Sequence, residues 1–173
     1  MLSQIIFIFL VISILSLALS SLSLAPWVPT WKKDLPRIFK LADLKPNQIF
    51  YDLGCGNGKT VIYAAENYNA QAIGLEMALP LYLVCKFRQL FHWRKNLDFK
   101  WKNLFKENLS QADVIYVFGL PKAIQGKLIQ KFEQELKPGA KVISYVFPFT
   151  SWVPKIIDRP QPNDIAIYLY EKD

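Results

Sequence analysis

Only two cysteines, Cys55 and Cys85, and a single histidine, His92, occur in the 173 residues. That scarcity excludes a disulfide framework and a four-ligand zinc site of the ordinary kind, so a reduced compartment and chemistry without a metal are expected. Charge is missing altogether from residues 2 to 31. The first charged side chain is Lys32, so the whole net charge of +7 belongs to residues 32–173. No internal repeat is present, and no low-complexity segment beyond the apolar N-terminus. With 52% apolar and 20% charged residues, the chain is not a disordered tail, a collagen-like repeat or a multi-pass membrane protein.

From Ile5 to Ala25 the chain is apolar for 21 residues, interrupted only by serines. At about 1.5 Å per helical residue it reaches the roughly 30 Å of a bilayer core, so a single-pass transmembrane anchor is expected. The competing reading is a cleaved signal peptide. Such peptides open on a basic segment, whereas Met1-Leu2-Ser3-Gln4 offers only the terminal amine, and no small-x-small site precedes Pro26. Trp27 and Trp31 suit an interfacial aromatic belt. After them Lys32, Lys33, Arg37, Lys40 and Lys45 outnumber Asp34 and Asp43, which puts the rest of the protein on the cytoplasmic side of the membrane. The expected division is an anchor over 1–30 and a second domain over 31–173.

Beyond a linker around Pro26, Pro29 and Pro36, short apolar runs alternate with longer amphipathic ones, the pattern of a parallel α/β sheet covered by helices. Strands are predicted at 48–53, 71–76, 97–101, 112–118, 140–147 and 164–170, and helices at 58–67, 79–92 and 122–136. Pro80 suits a first helical turn, and Pro138-Gly139 stops the last helix. Four prolines from Pro148 to Pro162 leave no room for another crossover helix, so the final strand is expected to pair antiparallel at the sheet edge.

The chemical signal is Asp52-Leu53-Gly54-Cys55-Gly56-Asn57-Gly58-Lys59-Thr60, where the first strand turns into the first crossover helix. Glycines at alternate positions admit positive φ and let a ligand approach the main chain. The third glycine of a dinucleotide fingerprint would fall at position 59, which is Lys, so the spacing argues against a pyrophosphate. Glu76 closes the second strand, 20 residues beyond Gly56, in place to accept from both hydroxyls of a ribose. With Asp52 able to bind an ammonium, the set suits a cationic ligand with an amino acid end and a ribose, which describes S-adenosylmethionine (SAM).

These residues resemble the class I SAM-dependent methyltransferases, from Leu44-Lys45-Pro46 ahead of the loop through Leu136-Lys137-Pro138-Gly139 before the fifth strand to Tyr170. The resemblance implies a Rossmann-like sheet, mostly parallel. It also implies that Asp52, Gly54, Gly56 and Gly58, with Cys55 and Asn57 between them, line the methionine end, Glu76 the ribose and Asn103 the adenine. Val117-Phe118-Gly119-Leu120-Pro121, Phe147-Pro148-Phe149 and Trp152-Val153-Pro154, behind a hydrophobic anchor, more narrowly resemble the ATP synthase c-subunit lysine N-methyltransferase family. That resemblance implies a membrane-anchored N-methyltransferase of a protein lysine near the membrane. Acceptor-channel candidates are Phe118, Gly119, Leu120, Pro121, Phe147, Pro148, Phe149 and Trp152. Methylation of a small or lipid amine, and a non-catalytic membrane adaptor with the same fold, stay open as alternatives.

Other residues draw plainer expectations. Cys55 is a small residue that fits the turn, with no base placed to make it a nucleophile. Lys59 is expected to be solvated, and His92 to end an exposed helix. Residues 86 to 106 hold seven cations against Asp98 alone, interleaved with Phe87, Phe91, Trp93, Phe99, Trp101 and Phe105. A nucleic-acid surface is the weaker reading there. Phe87 and Phe91, at helical spacing, are expected in the core, leaving a cationic face for anionic lipid headgroups.

Overall fold

The computed structural model describes residues 1–24, 27–92 and 94–173, with only the backbone described for Ser21, Leu22 and Ser23. Ala25 at the end of the apolar run, Pro26 of the expected linker and Trp93 lie outside the described residues. Helix α1, Leu2–Ser23, is an unbroken apolar helix with neither glycine nor proline. Nearly all its large side chains are exposed, and Ser13 and Ser16 form its buried stripe. Among the described residues it is the helix long and apolar enough to cross a membrane, a test that a signal sequence also passes.

Helix α2, Leu35–Ala42, lies inside the expected linker. Pro36 stands in its first turn, where the missing N–H costs nothing. Leu35, Ile38, Phe39 and Ala42, all buried, form the i, i+3, i+4, i+7 stripe that holds it to the core. Buried Asp34, just ahead of it, accepts from Arg37 at 2.8 Å and from the Tyr145 hydroxyl at 2.6 Å.

The remaining elements are β1 Ile49–Leu53, α3 Lys59–Tyr68, β2 Gln71–Glu76, α4 Leu79–Phe91, β3 Leu97–Trp101, β4 Val114–Val117, α5 Pro121–Ile124, α6 Lys127–Glu135, β5 Lys141–Tyr145, β6 Ile156–Asp158 and β7 Ile167–Glu171. The helix expected over 122–136 is thus two, broken at Gly126 with φ 66°. The sheet runs β3-β2-β1-β4-β5-β7-β6, with β1 to β5 parallel, the mostly parallel Rossmann-like arrangement expected. β7 is antiparallel as expected, but it is not the edge. The short β6 covers it, a strand that the proline-rich sequence concealed.

The two faces are packed separately. Phe39, Phe50, Val61 and Tyr116 belong to one cluster, and Leu53, Leu75, Ile115, Leu128 and Phe132 to the other. Chain order reverses between β1 and β4, and at such a switch point the carboxyl ends of the strands diverge into a crevice.

Candidate cofactor and acceptor site

β1 ends at Leu53 and turns at once through three residues of positive φ, Gly54 at 87°, Gly56 at 56° and Gly58 at 74°. The turn is fastened to its neighbour, because the N–H groups of Gly54 and Cys55 both donate to Leu75 O at 2.9 Å. Glu76, the last residue of β2, reaches back across it. Its Oε2 accepts the Gly56 N–H at 2.8 Å and its Oε1 the Ala78 N–H at 2.8 Å. Cys55 is buried with its Sγ 3.9 Å from that of Cys85, whose thiol donates to Gly56 O at 3.1 Å.

A cavity of about 330 Å³ opens at this switch point. It is lined by Asp52, Gly54, Cys55, Gly56, Asn57 and Glu76, by Asn103 after β3, by Phe118, Gly119 and Leu120 after β4, and by Val146 and Phe147 after β5. Val146 is a β-branched residue held at φ 75°, a costly conformation that stiffens this rim. Of the cofactor residues expected from sequence, all but Gly58 line the cavity. Gly58 instead starts α3 against Phe99. The Asn103 side chain caps the turn after β3, accepting the Phe105 N–H at 2.9 Å.

The acceptor-channel candidates divide. Phe118, Gly119, Leu120 and Phe147 line the cavity, whereas Pro121, Pro148, Phe149 and Trp152 do not. Pro121 begins α5. Phe149 and Trp152 turn to the opposite side of the rim and pack with Phe132 and Tyr170, where Phe149 is 3% exposed. The aromatic-proline spacing pointed both segments at one mouth, but β5 ends at Tyr145 and the chain leaves the sheet at Val146 with φ 75°, so strand alternation no longer governs where Phe147 and Phe149 point.

Residues that the sequence assigned to the anchor and linker stand in the same cavity. Leu24 lies so close to Gly54 and Gly119 that a Cβ on either would sit 2.6 Å or less from it, and its carbonyl accepts the Leu120 N–H at 3.1 Å. Trp27 covers Gly56 in the same way. Thr30 Oγ1 shares a 2.7 Å hydrogen bond with the buried Tyr116 hydroxyl, and Thr30 O accepts from Lys59 Nζ at 2.7 Å. Lys59 is therefore a wall of the site rather than a solvated side chain. These contacts span 29 to 96 positions and leave no local pattern for a sequence reading to find.

The electrostatics favour a cationic guest. Asp52 and Glu76 are both nearly inaccessible, and among the described residues neither has a lysine or arginine partner. Burial, with Glu76 beside it, pushes the Asp52 carboxyl up to about 8. Burial also raises that of Glu76, against the backbone N–H groups that lower it. Two desolvated acids beside a glycine loop fit a ligand carrying positive charge, as SAM does in its ammonium and sulfonium.

Similarity to known proteins points the same way. The ANTKMT methyltransferase domain matches residues 52–156. A protein-lysine N-methyltransferase of Saccharolobus islandicus is 32% identical over 154 residues, covering 84% of this chain and 92% of that protein. An ATP synthase c-subunit lysine N-methyltransferase of Xenopus laevis is 33% identical over 133 residues, and the match takes in 75% of this chain but only 56% of that longer relative. Among solved structures, an RNA methyltransferase of Salinibacter ruber in complex with S-adenosylhomocysteine superposes with a TM-score of 0.78 at 30% identity, over 83% of this chain and 93% of that one.

Proposed function

The chain belongs to the ANTKMT methyltransferase family and is a SAM-dependent methyltransferase, and on that premise we propose that it methylates a protein lysine held close to a membrane. The observation that supports this most is the pairing, in one cavity, of two buried acids beside a glycine loop with an aromatic lip. Residues 1–30 are the proposed single-pass anchor, and 31–173 the methyltransferase domain on the cytoplasmic side. Leu24, Trp27 and Thr30 belong to both, joining the anchor to the site.

In this reading the loop from Gly54 to Gly58, with Cys55 and Asn57, holds the methionine end and Asp52 faces its ammonium. Glu76 takes the ribose hydroxyls and Asn103 the adenine. SAM, when bound, supplies a methyl group made electrophilic by its sulfonium. The remaining work falls to the chain's own side chains. Phe118, Gly119, Leu120 and Phe147 line the acceptor side, exclude water and align an entering amine. A lysine there is desolvated, which lowers its pKa and delivers the neutral nucleophile. The aromatic faces also attract the ammonium on arrival.

The test supplies the purified full chain and methyl-labelled SAM to membranes from cells lacking this protein. Label recovered as methyllysine in a membrane protein is the expected result. Label found only in a lipid, a small amine or RNA, or SAM binding without transfer, overturns the reading.

A further inference from the structure

Helix α4 turns most of its large apolar side chains away from the sheet it covers. Cys85 is its buried apolar residue and Tyr82 packs half-buried beside the core, while polar side chains make the remaining ties to the domain, with Arg88 donating to Asn57 O at 2.6 Å and Gln89 to Leu97 O at 2.7 Å. Leu83, Phe87, Leu90 and Phe91, at i, i+4, i+7 and i+8, form one outward stripe that is 42 to 72% exposed, with Val84 beside it. The Phe87 and Phe91 rings meet edge-on at 5.1 Å, in a cluster on the surface and not, as their spacing suggests, in the core. A contiguous apolar surface of this kind marks a docking site.

What covers it is indicated by its neighbour. The buried serine stripe of α1 packs on α4, where Ser16 Oγ accepts the Leu79 N–H at 3.0 Å. That contact lies seven residues from Ser23, about 10 Å along α1, and interfacial helices bury their apolar face to a similar depth of roughly 5–10 Å in the headgroup boundary. Exposed Arg94 and Lys95 follow three and four residues after Phe91, in a domain that carries all of the net +7.

We propose that the Leu83–Phe91 face of α4 is a second membrane element, lying in the interface of an anionic bilayer beside α1 with Arg94 and Lys95 among the headgroups. This rests on α1 being the anchor. It fixes the domain in one orientation, and since the cavity runs from Ser20 and Leu24 to Phe147, the acceptor lip then opens near the lipid surface.

The full chain, with a nitroxide at Leu90→Cys or Phe87→Cys and a control label at the exposed Gln111→Cys, is reconstituted into phosphatidylcholine vesicles with and without phosphatidylglycerol. The two native cysteines are buried, and unsubstituted protein sets the labelling background. The expected result is a severalfold higher ratio of oxygen to nickel-chelate accessibility at 87 and 90 than at 111. The ratio should rise with phosphatidylglycerol and fall in Arg94→Gln/Lys95→Gln. A ratio at 90 equal to that at 111 overturns the proposal, as does shielding that tracks protein concentration or added RNA rather than lipid. The ratio is read before any carbonate wash, so a chain that washes off defeats the anchor reading by itself, while water-exposed labels on a retained chain defeat the docking face.

Discussion

The Gly56 N–H donates to Glu76 Oε2 at 2.8 Å, tying the middle of the glycine loop to the last residue of the neighbouring strand. One carboxylate thus shapes the loop and, in the proposed role, also faces the ribose. Glu76→Ala should therefore affect both. Hydrogen bonds to a charged acceptor contribute about 1.5–3 kcal/mol each, so the loss of one or more raises the Kd for SAM by about tenfold or more. Calorimetry on the purified chain measures this, and an unchanged Kd would remove Glu76 from the ribose.

In its proposed role beside the SAM ammonium, Asp52 should make SAM affinity and stability depend on pH in opposite directions. An acid normally titrating near 3.8 is held up to about 8 in the fold, so the folded chain binds more protons than the unfolded one between those values. Stability without ligand then falls as pH rises through that window, and Glu76, shifted the same way, adds to the fall. A cation on the site favours the ionised acid, so SAM affinity rises toward pH 8. Thermal melts and calorimetry from pH 5 to about 9 should show both slopes. Asp52→Asn should flatten both, stabilising the ligand-free chain at pH 8 while weakening SAM binding.

Thr30, at the wall of the cavity, is held by a hydroxyl pair, Thr30 Oγ1 with Tyr116 OH at 2.7 Å. Thr30→Val keeps the shape and leaves the buried Tyr116 hydroxyl unpaired, at a cost of about 1–3 kcal/mol. Thr30→Ser restores the bond and most of the stability. Denaturant titration of the two variants separates this hydrogen bond from simple packing, since a valine chain as stable as the wild type would show that the bond contributes nothing.

What the sequence disclosed depends on what kind of constraint each feature obeys. The loop and Glu76 were legible because a turn with three positive φ angles demands glycine, and because a crossover of ordinary length puts the next strand end about 20 residues on. α2 was hidden by Pro36, which reads as a breaker until it is seen to occupy a first turn. The spacing of Phe87 and Phe91 showed that they share a face. Periodicity cannot say whether that face looks at the sheet or away from it, and here it looks away. Leu24, Trp27 and Thr30 reach the site through contacts made only when the chain closes on itself.

Phe149 and Phe118, one from each aromatic-proline segment, should respond differently to truncation, in keeping with where the structure puts them. Phe149, fully enclosed by Phe132, Trp152 and Tyr170, is a packing residue, so Phe149→Ala costs about 3–5 kcal/mol of stability, as expected for a buried Phe replaced by Ala. The melting temperature falls sharply, while SAM affinity and turnover per folded molecule stay near those of the wild type. Phe118 is only partly buried, lines the cavity and meets Tyr145 edge-on at 5.0 Å. Phe118→Ala should fold with a modest loss and lower methyl transfer by about tenfold, equivalent to about 1.4 kcal/mol in the barrier, with little change in the Kd for SAM. Single-turnover rates at saturating SAM, set beside melting curves for both variants, decide the matter. A Phe149→Ala chain that melts normally but fails to transfer would return that residue to the acceptor channel, and a fully active Phe118→Ala chain would take the channel away from the β4 rim.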